Sequence, residues 1–183
     1  MIEDLNSIVR NSTILIQSGL NKIESAVSDY NKYLSKIKRK TAIVLHHTLT
    51  KDSLTVSWGP IRKHHIHTLG WADIGYHAGI EEVRDPGVYE ILIGRNIFDN
   101  GAHCPQGNMN RNGFGFVFTG NFDLGPPPEK MLEKAAEYLA SICVLFDISV
   151  DMIHGHHYYN QHKTCPGKQF NVTEFRQIVK SYI

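Results

Sequence analysis

Short apolar runs interleaved with helical patterns are the feature that most constrains this chain. TAIVLHH (41–47), YEILIG (89–94) and GFGFVFTG (113–120) carry the β-branched and aromatic content of strands. SWGPIRKHHIHTLG (57–70) predicts a helix that opens near Pro60 and stops at Gly70. PPPEKMLEKAAEYLASICVLF (126–146) predicts a second, opened by proline and the acidic Glu129. VTEFRQIVKSYI (172–183) predicts a closing amphipathic helix with Thr173 as its cap. Strands alternating with helices indicate an α/β domain whose mixed central sheet is flanked by helices.

Residues 2–40 have a different texture and predict one long N-terminal helix. Ile16, Leu20, Ile23, Val27, Tyr30, Leu34 and Ile37 alternate spacings of four and three, which sets them on one stripe. Extended backwards, the register meets Thr13, Val9, Asn6 and Ile2, so the first half is weaker. The segment closes on KIKRK (36–40), read as a solvated basic end. The division is a helical extension over 1–40 and a catalytic domain over 41–183. The stripe either packs on that domain or serves self-association or partner docking.

Composition excludes several classes. A net charge of +1 lacks the basic surplus that phosphate contacts require, so no nucleic-acid partner is expected. No apolar run reaches the roughly 18 residues of a membrane span. The first residues lack a basic segment followed by an apolar core, so no secretory signal is expected. Three scattered cysteines are too few for a disulfide framework, and Cys143 reads as a buried helix residue.

Eleven histidines are the unusual number, and four of them crowd HGHHYYNQHKTCPG (154–167) with Cys165. Zinc accepts imidazole nitrogen and thiolate sulfur, and a catalytic site keeps one position for water. Cys165 is the natural thiolate. Strand side chains alternate faces, so only one of His46 and His47 can join it. Because 42–45 are all apolar, periodicity does not choose between them. Residue chemistry therefore gives one of two histidines, one of several loop histidines, and Cys165.

Taken together, VLHHT (44–48), GWADIGYH (70–77), GAHCPQGNMNRNGFGFVFTGNFD (101–123) and GHHYYNQHKTCPG (155–167) resemble one family. It is the zinc-dependent N-acetylmuramoyl-L-alanine amidases of the phage-lysozyme and peptidoglycan-recognition-protein type. The resemblance spans 41–183 with its segments in family order, and leaves the first forty residues outside.

The resemblance implies a peptidoglycan-recognition-protein-like fold, bacterial peptidoglycan as partner and one Zn²⁺ per chain held by His46, His156 and Cys165. His156 precedes Cys165 by the nine-residue interval common in phage members; an eight-residue interval would select His157 instead. Tyr76 and Lys163 match the family's catalytic helpers. His103, Asn108 and Asn112 are expected to line the substrate groove, while His77 reads as structural and the cluster His64, His65 and His67 as surface or packing residues. The implied reaction is hydrolysis of the amide joining muramic acid to L-alanine. An endolysin made in the cytoplasm and released by a holin fits the missing signal. Alternatives are a non-catalytic muropeptide-binding module and an intracellular recycling amidase. The recycling subtype carries a glutamate where Val117 stands and usually an aspartate at the Cys165 position, so this chain departs from it twice.

Overall fold

In the computed structural model, residues 2–36, 40–50, 58–83 and 85–183 are described. They form two compact units, residues 1–38 and 39–183. The first is helix α1 (Ile2–Lys36). Between residues 12 and 32 its side chains are exposed, including Ile16, Leu20, Ile23, Val27 and Tyr30 of the stripe. No helix among the described residues is long and apolar enough to cross a membrane.

The second unit is built on five strands: β1 (Ala42–His47), β2 (Ala78–Glu82), β3 (Tyr89–Ile93), β4 (Gly113–Phe118) and β5 (Ile153–Gly155). Their order is β3-β2-β4-β1-β5, with every pair parallel except β2–β3. Strands β1 and β4 sit inside the sheet and are buried along their whole length. Such strands are covered on both faces and read as unbroken apolar runs, which is why their pattern hid the facing.

On one face, Ile43, Leu45, Phe114, Phe116 and Phe118 meet helices α4 (Glu129–Phe146) and α6 (Val172–Lys180). Helix α4 contributes Met131, Leu139, Ile142 and Phe146 to that core. Each fully buried side chain of this size is worth roughly 1.5–3 kcal/mol. Asp147 ends α4 in the left-handed region at φ 56°, the place glycine usually takes. On the other face, Ala42 and Val44 pack with Cys104 and Met109, and Val117 packs with Trp58 and Ile74. This thinner face carries the short helices α2 (Trp58–Lys63) and α3 (Met109–Asn112) and holds the site.

Several expectations shift. The helix at 57–70 divides into α2 and a π-helical turn, His64–Thr68, and Gly70 follows at φ 71°. Strands β2 and β5 have no counterpart in the sequence reading. Helix α6 is capped by Asn171, whose Oδ1 accepts the Glu174 N–H at 3.1 Å, and Thr173 lies inside the helix. The basic end is not solvated at Lys40. That residue is fully buried, and its ammonium donates to the carbonyls of Asp99 (2.7 Å) and Arg111 (3.1 Å). Charge-assisted bonds to converging carbonyls offset its desolvation. Residues 37–39 lie outside the described residues.

Candidate metal centre and catalytic cleft

Alternation along β1 decides what the apolar run left open. Ile43 and Leu45 face the helices, so His47 goes with them and His46 goes with Ala42 and Val44 to the opposite face. His47 Nδ1 accepts the Phe122 N–H at 3.2 Å, and its ring stacks on Phe122. His46 lies at the carboxyl end of β1, the usual end for ligands in parallel sheets.

Strand β5 runs parallel beside β1, pairing Leu45 with Gly155. The next residue on each chain is therefore adjacent: His46 and His156 have ring centroids 4.7 Å apart. His156 opens helix α5 (His156–Tyr159) and is buried, with Nε2 lacking a partner among the described residues. His157 points away, and its Nδ1 lies 2.8 Å from the Cys165 carbonyl, which also accepts the His157 backbone N–H at 3.0 Å. The two histidines thus divide the work: His156 faces the cleft and His157 pins the turn that carries Cys165.

That turn is anchored a second time by Asp123. Its carboxylate accepts from Thr164 Oγ1 and the Lys168 N–H, each at 2.8 Å. These hydrogen bonds hold the Asp123 carboxyl below its usual range. Gly167, at φ 126°, lies against Phe122, where a Cβ would come within 2.5 Å of backbone. The turn delivers Cys165 so that ligating atoms of His46, His156 and Cys165 all lie within 4.8 Å of one another.

The electrostatics suit a cation. Burial pushes His46 well below its ordinary value, and the neighbouring His103 and His156 lower it further. Burial, then Lys163 and His157, bring His156 down to about 4. Both imidazoles are neutral near pH 7 and can ligate without losing a proton. Burial raises the Cys165 thiol, so taking up a metal requires it to release a proton.

His103 forms part of the floor. It is buried, and its Nδ1 lies 3.1 Å from His46 Nε2. The ring rests on Gly115 of β4, where a Cβ would fall 2.4 Å from His103 Cδ2. Asn110 holds this loop, its Oδ1 accepting the N–H groups of both His103 and Cys104 at 2.7 Å. Sequence reasoning missed Asn110; its only signal is a position inside GAHCPQGNMN. His77, fully buried, accepts the Gly115 N–H on Nδ1 and bonds the Asp99 carbonyl through Nε2, which fixes its tautomer.

Above the three converging residues lies an open cleft of about 460 Å³. Tyr76, Trp71, Lys163 and Thr164 are among its walls. The Tyr76 ring sits 5.2 Å from that of His46. Burial, and secondarily Cys165, raise the Tyr76 hydroxyl above its usual range, so it stays protonated and can donate. His103 reaches the cleft floor, but the structure does not bring Asn108 or Asn112 there. Asn108 is exposed in the left-handed region at φ 58°, and the Asn112 carbonyl accepts the Thr41 N–H. Among the other histidines, His65 accepts the Gly75 N–H and packs on Trp71. Val117 is buried against Trp58 and Ile74, on the cleft side of β4.

The family model described as N-acetylmuramoyl-L-alanine amidase matches residues 37–168. The chain belongs to this amidase family. It is 32% identical over 130 residues to peptidoglycan-recognition protein SC2 of Drosophila simulans, covering 68% of this chain and 66% of that protein. Among solved structures it resembles the endolysine N-acetylmuramoyl-L-alanine amidase LysCS of Clostridium intestinale, with TM-score 0.62 and 25% identity over 78% of this chain and 84% of that one. It also resembles peptidoglycan recognition protein-LE bound to tracheal cytotoxin, with TM-score 0.61 and 25% identity over 78% and 81%. The five-stranded mixed sheet with flanking helices is the fold of this amidase family. The proteins the chain resembles thus include both an N-acetylmuramoyl-L-alanine amidase and peptidoglycan-recognition proteins.

Proposed function

We propose that this amidase-family chain is a zinc-dependent N-acetylmuramoyl-L-alanine amidase. It hydrolyses the amide between muramic acid and L-alanine in bacterial peptidoglycan and serves as a phage or prophage endolysin. The observation that carries the reading is the convergence of His46, His156 and Cys165 at the base of a cleft walled by Tyr76 and Lys163. Likeness to an endolysine amidase supports the cellular role.

The residues fit a zinc ion on their own chemistry. Two neutral imidazoles and one thiol converge, and a buried His156 Nε2 has no partner among the described residues. His46, His156 and Cys165 would hold the ion and leave its fourth position open. Bound there, it would supply Lewis acidity to the scissile carbonyl and to a water.

The remaining work falls to the chain. His103 Nδ1, 3.1 Å from His46 Nε2, orients the His46 ring. Tyr76, kept protonated, donates toward the oxygen on which negative charge develops. Lys163 brings a cation to the same wall, and one such donor is worth on the order of 3 kcal/mol in the transition state. Neither Tyr76 nor Lys163 needs to change protonation for this. Trp71 offers an apolar ring beside Tyr76 against which substrate can lie.

The test is zymography on bacterial sacculi. Clearing is expected with zinc and its loss on chelation. Lys163→Ala is expected to lower turnover while zinc stays near one per chain. Sacculi that are bound but never cleared, with zinc bound at full stoichiometry, would replace the hydrolase by a muropeptide-recognition module.

A further inference from the structure

Helix α1 carries an exposed apolar seam of Ile16, Leu20, Ile23, Val27 and Tyr30. The two flanks of that seam differ. One holds Arg10, Gln17 and Glu24, seven residues apart. The other holds Ser12, Gly19 and Ala26, all small. A Cβ at Gly19 would meet nothing within 4 Å among the described residues. A glycine inside an exposed helix nonetheless costs about 1 kcal/mol relative to alanine.

From this pattern we infer that α1 pairs with α1 of a second copy as an antiparallel coiled coil centred near residue 18. In an antiparallel pair like flanks meet, so the two-fold axis sets Gln17 against Gln17 of the other copy and Arg10 against its Glu24. The symmetry makes that ion pair twice. Arg10 and Glu24 lie roughly 21 Å apart along one helix and cannot pair with each other in one chain. The seam then stacks Ile16 on Leu20 and Thr13 on Ile23 of the second copy. Gly19 meets Gly19 across the axis, flanked by Ser12 and Ala26, so the two backbones can approach closely. A parallel pair is worse on each count. It would join unlike flanks and set Glu24 against Gly19, leaving Arg10 and Glu24 without opposite charges. It would also place leucine and isoleucine in the arrangement that disfavours two parallel strands.

The experiment uses the full chain. Sedimentation is expected to give twice the mass of the 20.7 kDa chain at micromolar concentrations. Glu24→Arg should weaken the dimer by roughly tenfold in dissociation constant, because two attractions become two repulsions. Adding Arg10→Glu should restore it. On oxidation, Gln17→Cys should cross-link as a symmetric pair and Leu20→Cys should not; the native cysteines are buried and stay silent. A monomer at every concentration, or cross-linking through residue 20 and not 17, would overturn the proposal.

Discussion

Replacing Gly115 by alanine isolates the contact on which the cleft floor rests. The backbone of β4 is extended there, so alanine adds no conformational strain. What it adds is a methyl group 2.4, 2.6 and 2.7 Å from Cδ2, Cγ and Nε2 of His103. Ordinary contact begins near 3.4 Å, so the ring must retreat by close to an ångström. It cannot do so and keep its 3.1 Å contact with His46. Overpacking costs about 1–3 kcal/mol, and leaving a buried donor without its acceptor costs about as much again. The expected loss is therefore roughly 2–6 kcal/mol of a stability that for such domains totals about 5–15 kcal/mol. His103→Ala alone also destabilises, through a cavity and the orphaned His46. In the double variant the new methyl enters the space the ring left, so the combined cost should fall short of the sum by about 1–3 kcal/mol. Urea unfolding of the four proteins at one pH measures this cycle, with zinc content read in parallel. If Gly115→Ala is neutral, or the double variant is additive, the packing argument for His103 is wrong.

Three further outcomes follow from the same geometry. His156→Ala should deplete zinc. His157→Ala should leave zinc near one per chain and cost about 1 kcal/mol, for the lost bond to the Cys165 carbonyl, in a thermal melt. Asn110→Ala leaves two buried backbone N–H groups without their 2.7 Å acceptor, an expected loss of roughly 2–4 kcal/mol by denaturant titration. His77 is lowered from 6.5 to about 4 by burial, so the native state stays neutral while the unfolded chain takes up a proton below pH 6.5. The contribution of His77 to stability therefore falls as pH drops through that window, by about 3 kcal/mol between pH 6.5 and about 4. His77→Gln, which can both accept and donate, should flatten that part of the pH–stability curve; an unchanged slope would assign the acid loss elsewhere.

The elements legible in the sequence were those whose pattern is local. Helix α4 announces itself through prolines, Glu129 and eighteen residues of periodic apolar content. Strands β1, β3 and β4 are dense in β-branched and aromatic residues. Strands β2 (AGIEE) and β5 (IHG) were not legible, because they are short and defined by distant partners rather than by their own side chains. The buried Lys40 was equally hidden: its acceptors are the Asp99 and Arg111 carbonyls, 59 and 71 residues away. In the cap of α6, Asn171 and Thr173 are both competent by type, and only backbone geometry separates them.

By itself, the sequence determined the chemistry available: a thiol in a Cys-Pro-Gly turn, histidines on a strand and in a loop, and an α/β frame to hold them. Tertiary structure decided which of those groups meet. A central parallel strand is apolar on both faces, so nothing local distinguishes His46 from His47. The helices packed on Ile43 and Leu45 make that choice. Loop spacing cannot separate His156 from His157 either. The register of β5 beside β1 sends one ring into the cleft and leaves the other to hold the Cys165 carbonyl. The convergence of His46 with His156 and Cys165 rests on contacts more than a hundred residues apart, and those form only when the sheet closes.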